Sequence, residues 1–398
     1  MDLKQRLAAL RQQTGHACIA ERIQRYRVGP PPARACRPVD ASALAERLGG
    51  SLRAGGVIRI ERRVALDDVH GARCLARVLD DHGALPEARG LDPGRLVFVD
   101  TETSGLAGGT GTVVFLLGLA RIEDGALQIR QYLLTGFAGE AVLLTESAKW
   151  LGNDDTLVSF NGKCFDVPLL AARCRLAGVA DPFSTRGHLD LLHPTRRAFN
   201  RYWPDCRLGT AEQRLLGFAR TDDLPGSEAP QAWLDLLRRG DATRMPGIAR
   251  HNHRDLVSLA ALLPALVDAH AVPAEHGADA LAVARAHLAR DDEARARAVL
   301  TAARARLDSG ALLELARLHR RNGDWNAACI IWERLAEKGS LESIERLAKY
   351  YEHVRGDHAV AFDYARRLPL GGVHDSRRQR LRRKLEKLGK LGSDHRSC

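Results

Sequence analysis

The stretch Arg95-Leu96-Val97-Phe98-Val99-Asp100-Thr101-Glu102-Thr103 constrains the fold of this chain more than any other. An apolar, partly β-branched run between Arg95 and Asp100 has the composition of a buried strand, and it closes on two carboxylates two residues apart. Side chains alternate across a strand, so Asp100 and Glu102 point to one side of its end. Two anions held together repel, and a hard divalent cation such as Mg²⁺ or Mn²⁺ relieves an oxygen pair of this kind. A strand that merely runs into an acidic turn carries the same pattern. The metal reading therefore needs further carboxylates that can reach this strand end.

Around this strand the chain reads as an α/β domain with a mixed five-stranded sheet flanked by helices. Residues 1–39 hold a polar helical stretch and the proline-rich Gly29-Pro30-Pro31-Pro32 linker, which cannot stay helical. Asp40 is a helix N-cap for 41–48, Gly49-Gly50 closes that helix, and 57–63 alternates like a strand in a lead-in over 40–94. After Glu102 come the glycines of 105–111, a strand over 112–120, a turn at Asp124-Gly125 and a strand over 127–134. The glycines lack a following Lys-Ser/Thr pair and lead into a strand, so they read as a hairpin connection and not as a phosphate cradle. Helical spacing over 140–151, a strand over 156–160, a helix over 167–178, a strand over 187–191 and a long helix over 247–270 complete the domain.

Two more acids fall where the sheet would need them. Asp166 follows the fourth strand through Asn161-Gly162-Lys163-Cys164-Phe165, at a carboxyl end where open α/β sheets bind ligands. Asp255 sits on the long helix in His251-Asn252-His253-Arg254-Asp255. Taken singly, Asp166 also fits a helix N-cap and Asp255 a polar helix face. Asp190, in the fifth strand, reads as a structural residue or as one that supports the site residues from behind.

These motifs, Phe98 to Leu106, Gly111-Thr112 to Leu116-Leu117-Gly118, Gln131-Tyr132-Leu133-Leu134, Ser159 to Asp166, His188 to His193 and Asn252 to Leu256, resemble in order those of the DnaQ-like, or DEDD, exonucleases of the ribonuclease H-like superfamily. Within that group the chain resembles the YprB-type ribonuclease H-like domain family, in which tetratricopeptide-like repeats follow the nuclease domain. The resemblance covers about residues 40–270. It implies that Asp100, Glu102, Asp166 and Asp255 hold two Mg²⁺ or Mn²⁺ ions, and that Thr103 and the loop residues Asn161, Lys163 and Phe165 lie beside a bound nucleotide strand. The exonucleases place a tyrosine four residues, or a histidine five, before the last Asp to orient water. Here position 250 is Arg and position 251 is His. His251 lies one helical turn from Asp255 and titrates in a useful range, so it takes the catalytic place; the alternative is a histidine on a family member that only binds nucleic acid.

The last third is helical and self-similar. Asp292-Glu293-Ala294, Asp324-Trp325-Asn326 and Asp357-His358-Ala359 recur at offsets of 32 and 33, near the ~34-residue tetratricopeptide period. The expected domains are thus 1–39, a ribonuclease H-like unit over 40–272 including its lead-in, and an all-α repeat unit over 273–398, whose surface offers a place for a protein partner. Of the 398 residues 45% are hydrophobic, enough for real cores, and the net charge is +11. The final 24 residues hold nine Lys or Arg against three Asp or Glu, either a repeat cap with a solvated face or a phosphate-tracking element. Eight cysteines show no C-x-x-C pair, so neither a disulfide frame nor a zinc site is expected. No stretch reads as a signal peptide or membrane helix, which places the expected site of action in the cytoplasm. The expected activity is 3′→5′ exonucleolytic hydrolysis of single-stranded DNA or RNA. Its rivals are an inactive nucleic-acid-binding scaffold that recruits partners through the repeats, and a structure-specific endonuclease of the same superfamily.

Overall fold

The computed structural model describes residues 39–105, 111–221 and 223–394. The arm expected over 1–39 lies, except for Val39, outside the described residues, as does most of the glycine run. Nine strands form among the described residues: β1 (Gly50–Leu52), β2 (Val57–Ala65), β3 (Val69–His70), β4 (Arg73–Cys74), β5 (Leu96–Thr103), β6 (Val114–Glu123), β7 (Ala126–Leu134), β8 (Thr156–Ser159) and β9 (Gly187–Asp190). Seven of them make one mixed sheet in the order β1-β2-β7-β6-β5-β8-β9, and β3 and β4 pair separately. The five expected strands are all present, but the sheet is two strands wider than the sequence reading. The lead-in strand β2 pairs antiparallel with β7 from Val57 opposite Leu134 to Ala65 opposite Ala126, and β1 adds a short outer edge. Without β2 the nine residues of β7 would leave a long row of unpaired backbone groups at the sheet edge.

β5 is the hinge of this topology. It runs antiparallel to β6 and parallel to β8, so β5 and β8 end at the same side of the sheet. Asp124 and Gly125 both take positive φ, 50° and 69°, in the two-residue hairpin between β6 and β7. Alternation along β5 divides the core. Val97 and Val99 join the layer that contains the helices Ala41–Leu48, Glu140–Ala148, Asp166–Ala177 and Ala229–Arg239, whereas Leu96 and Phe98 join the layer that contains most of Met245–Ala271. That 27-residue helix crosses the sheet and carries 19 buried residues.

After it come three helix pairs: Ala280–Leu288 with Glu293–Ala302, Ser309–Arg321 with Trp325–Glu337, and Leu341–Tyr350 with His358–Arg366. The repeating aspartates are N-caps of the second helices. Asp292 accepts from Arg295 N at 3.0 Å, Asp324 from Ala327 N at 3.1 Å and Asp357 from Val360 N at 3.0 Å. Asp279, Asp308 and Ser340 cap the first helices in the same way. The helix Gly372–Asp394 then covers the array, with Leu381 fully buried against Ala348, Ala361 and Ala365, and with Arg380 at 2.8 Å and Lys384 at 3.6 Å from Glu352.

The array meets the sheet domain through its first pair and through Asp308 of the second, 3.5 Å from Arg201. Asp292 bonds Arg89, Arg295 Nη1 donates to Gly83 O at 2.6 Å, and Asp279 N donates to Ala198 O at 2.8 Å. A cavity of about 340 Å³ opens at this junction beside Arg201, Tyr202, Arg306 and Asp308. No described helix is long and apolar enough to cross a membrane.

Because the aspartate caps satisfy helix-end donors that would otherwise face solvent alone, Asp324→Ala is expected to weaken Trp325–Glu337 by about 1 kcal/mol. Hydrogen exchange of amides in that helix should rise about fivefold, while the Met245–Ala271 helix keeps its protection.

Candidate active site

The division of faces along β5 carries through to its end. Asp100 and Glu102 continue the face of Leu96 and Phe98, under the long helix, and Thr101 continues the face of Val97 and Val99. Asp166 enters from that second layer as the first residue of its helix, and its Oδ1 accepts a hydrogen bond from Thr101 Oγ1. It is therefore not an N-cap. The cap position is Phe165, which makes no side-chain cap bond. The site straddles the strand end, with Asp100 and Glu102 on one face and Asp166 reached through Thr101 from the other.

What brings the long helix down to Asp100 is an absent side chain. Asp100, Gly118 and Gln131 stand side by side across β5, β6 and β7. A Cβ on Gly118 would lie 2.2 Å from Asn252 Oδ1, so the Asn252 amide occupies the space that any larger residue would fill. From there Asn252 Nδ2 donates to Asp100 Oδ2 at 2.7 Å and to Asp100 O at 3.1 Å, and its Oδ1 accepts from Gln131 Nε2 at 2.8 Å. Gln131 Nε2 also reaches Ala249 O at 2.8 Å. Asn252 is fully buried with every polar atom used.

Next to Asn252 and one turn beyond it, the same helix presents its titratable residues. His251 Nε2 lies 3.6 Å from Asp255 Oδ2 and 3.9 Å from Glu102 Oε1, and its Nδ1 meets Asp223 Oδ2 at 2.8 Å. Asp223 thereby orients the ring from behind. Arg220 Nη2 donates to Asp255 Oδ1 at 2.5 Å. His253 faces away, and burial lowers its pKa to about 4. The segment around Pro225 and Gly226 passes beside His251, whose Nε2 would lie 3.4 Å from a Cβ on Gly226. Sequence reasoning singled out neither Asn252 and Gln131 nor Arg220 and Asp223 as site residues. The first two stood within the family-like motifs; the second two lie in a stretch with no motif.

Between β8 and the Asp166 helix the loop is tied by Asp190. Its Oδ1 accepts from Asn161 N at 2.8 Å and Leu192 N at 3.0 Å, and its Oδ2 from Lys163 N at 3.0 Å, so Asp190 is a structural clamp as expected. Asn161 holds φ of 72° and, like Lys163, leaves its side chain exposed; Phe165 is half-buried. Thr103 is buried, with Oγ1 donating to Gly105 O at 2.9 Å.

The four acids sit close enough to disturb one another. Burial pushes the Asp100 carboxyl well above the ordinary range, and the charges of Asp255, Asp166 and Glu102 push it further. Glu102 is pushed up to about 8, first by burial and then by Asp255 and Asp166. Burial raises Asp166 to about 6 against the bond from Thr101, and raises Asp255 against His251 and Arg220. Among the described residues, no three His, Cys, Asp or Glu side chains are already gathered into a ligand set. Each aspartate has one oxygen held by a donor: Asp100 by Asn252, Asp166 by Thr101 and Asp255 by Arg220. Backbone N–H groups add to the hold on Asp166, and His251 Nε2 stands 3.6 Å from the second oxygen of Asp255. Oxygen donors that are buried, acidic and short of counter-charge fit a hard divalent cation, with side-chain adjustment to bring them into its shell.

Asp100, Glu102, Asp166 and Asp255 all fall within residues 97–267, which match the model of the RNase_H superfamily. That fixes the class: the fold is that of a superfamily whose members are typically hydrolytic nucleases using divalent metals, and it points to nucleic acid as the substrate class. The uncharacterized protein YprB of Bacillus subtilis (strain 168) is 32% identical to this chain over 291 residues, 70% of each protein, and the chain belongs to the same family. Among solved structures, the family B DNA polymerase from the hyperthermophilic archaeon Pyrobaculum calidifontis matches at a TM-score of 0.31 and 14% identity, over 57% of this chain and 29% of that one, too slight a likeness to bear on fold or function.

Two outcomes follow from the packing and the charge. Gly118→Ala forces the Asn252 amide off the sheet and is expected to cost roughly 2–3 kcal/mol, read as a lower urea midpoint. A carboxyl whose pKa is higher folded than unfolded binds protons more tightly in the folded state, so its folded form loses stability as pH rises between the two values. For Glu102 that window runs from 4.5 to about 8. In chelator, Glu102→Gln should therefore be more stable than the wild type at pH 8 by on the order of 2 kcal/mol and nearly equal to it at pH 4, in paired urea titrations.

Proposed function

We propose that this chain is a metal-dependent 3′→5′ exonuclease acting on single-stranded DNA or RNA. The observation that carries the reading is the pairing of Asp223 with His251 Nδ1 at 2.8 Å, which turns Nε2 toward Glu102 and Asp255 at 3.9 and 3.6 Å. An imidazole so held, beside buried acids, suits a water that must be oriented and relieved of a proton. Asp100, Glu102, Asp166 and Asp255 would hold two Mg²⁺ or Mn²⁺ ions, which when bound supply charge to the attacking and leaving oxygens of a phosphodiester. The chain's own share is to orient and exclude. Asn252 fixes Asp100, Thr101 fixes Asp166, and Asp190 holds the loop whose exposed Asn161 and Lys163 side chains are positioned to meet a strand's phosphates and sugars. Thr103 and Phe165 border the same end of β5 and β8 and complete the proposed strand contacts. The following helix pairs are read as tetratricopeptide-like repeats that offer a surface to a protein partner, on the strength of the recurrent caps and the 32- and 33-residue offsets.

The test is incubation of the purified protein with end-labelled single- and double-stranded DNA and RNA under Mg²⁺, Mn²⁺ or chelator. Stepwise shortening of single strands from the 3′ end, abolished by chelator, is the expected result; cutting of a closed circle would make the chain an endonuclease. His251→Ala is expected to lower turnover by roughly 10²- to 10⁴-fold with strand affinity nearly intact, because its contribution arises mainly in the transition state. A protein that binds strands and cuts none under either metal is a scaffold.

A further inference from the structure

Arg220 has no part in the reading above, yet it reaches the site from a fixed base. It lies in the segment after the turn Glu212–Leu216, with its side chain 17% exposed. Its Nε and Nη2 each grip Glu212 at 2.7 Å, its Nη1 donates to Asp223 Oδ2 at 3.0 Å, and Nη2 also donates to Asp255 Oδ1 at 2.5 Å. Glu212 is itself anchored. It is fully buried and accepts from Ser258 Oγ at 2.5 Å, and that hydroxyl pairs with His70 Nε2 at 2.8 Å. The His70 ring in turn carries Phe218 at 4.0 Å between centroids. The guanidinium is thus held from behind, by a bidentate pair of the kind that fixes arginine geometry, and is not a surface charge that has swung inward.

Two consequences follow for the acids. Asp255 has its Oδ1 held by a cation that cannot be deprotonated, which leaves Oδ2, the oxygen near His251 Nε2, as the one without a guanidinium on it. Asp223 is fixed between Arg220, Arg254 and His251, and Arg220 Nη1 itself lies 3.3 Å from His251 Nδ1, so the setting of that ring nitrogen depends on Arg220 both directly and through Asp223.

We propose that Arg220 is a positioning residue, a built-in cation that confines Asp255 to one metal-facing oxygen and, through Asp223, holds His251 with Nε2 toward the acids. Its effect on turnover rests on the nuclease reading; its effect on metal binding does not. Arg220→Met alone would strand Glu212 as an unpaired buried carboxylate, so the informative variant is Glu212→Gln/Arg220→Met, which removes the buried pair together.

Mn²⁺ is titrated calorimetrically into the metal-free full-length protein. With the neighbouring cation gone and Asp255 free to bind through two oxygens, the folded double variant is expected to bind Mn²⁺ at least about tenfold more tightly than the wild type. Glu212→Gln alone keeps the Arg220 charge beside Asp255 and removes a neighbouring anion, so it should bind Mn²⁺ no more tightly than the wild type. Unchanged or weaker Mn²⁺ binding by the folded double variant, or equal tightening by Glu212→Gln, overturns the proposal. In the cleavage assay the double variant should lose roughly tenfold to a hundredfold in kcat with little change in KM, and should lose nothing further in a His251→Ala background. Losses that simply multiply overturn the route through Asp223. A wild type that never cleaves ends the nuclease reading, and the Mn²⁺ comparison still decides the role of Arg220.

Discussion

The site hangs on one amide seated over one glycine. Asn252 lies where a Gly118 side chain would be, and from that seat it bonds Asp100 in one direction and Gln131 in the other. Those three contacts set the height of the long helix above β5, and hence the approach of both His251 and Asp255 to Glu102. A methyl group on β6 would lift the whole helix. Close packing explains why such a contact is all or nothing: a dense interior cannot absorb an added atom locally, so the helix and the sheet must part together.

Electrostatics then works against the packing. All four acids at this strand end have their carboxyls pushed upward by burial, and Asp100 and Glu102 are pushed further by the charges of Asp166 and Asp255. The chain tolerates this by giving one oxygen of each aspartate a fixed donor from a different element: a helix amide group, a strand hydroxyl and a loop guanidinium. Each donor orients a carboxylate without neutralising the cluster as a whole. Glu102 stands apart, since its nearest basic neighbour is His251 at 3.9 Å. The result is a set of buried acids, each aspartate oriented by a donor, that is short of counter-charge.

Much of this was legible in the sequence, for local reasons. Period two placed Asp100 and Glu102 on one face, and the four-residue step put His251 above Asp255. Asp292, Asp324 and Asp357 announced helix starts because capping is a short-range hydrogen bond. What stayed hidden depends on contacts between distant segments. The glycine in Leu117-Gly118-Leu119 reads as an ordinary strand glycine until a helix more than a hundred residues later is laid across it. Arg220, Asp223 and Glu212 belong to a stretch without periodicity, and only the folded chain brings them to Asp255. The fifth-strand count failed for a similar reason, because pairing of β2 with β7 joins segments some seventy residues apart and leaves no local mark. Asp166 was visible as an acid at a helix start, but its bond to Thr101 across the strand was not.

Asp292 gives the helical array a direction. One of its oxygens starts the second helix of the first pair while the other bonds Arg89 of the sheet domain, so the innermost repeat begins on a surface that is already built. The second pair reaches the sheet domain through Asp308, 3.5 Å from Arg201, and the third rests on its neighbours and on the closing helix. A linear stack anchored at one end frays from the other, so thermal breathing in this protein should grow with distance from the nuclease-like domain, as in a rope made fast to a post.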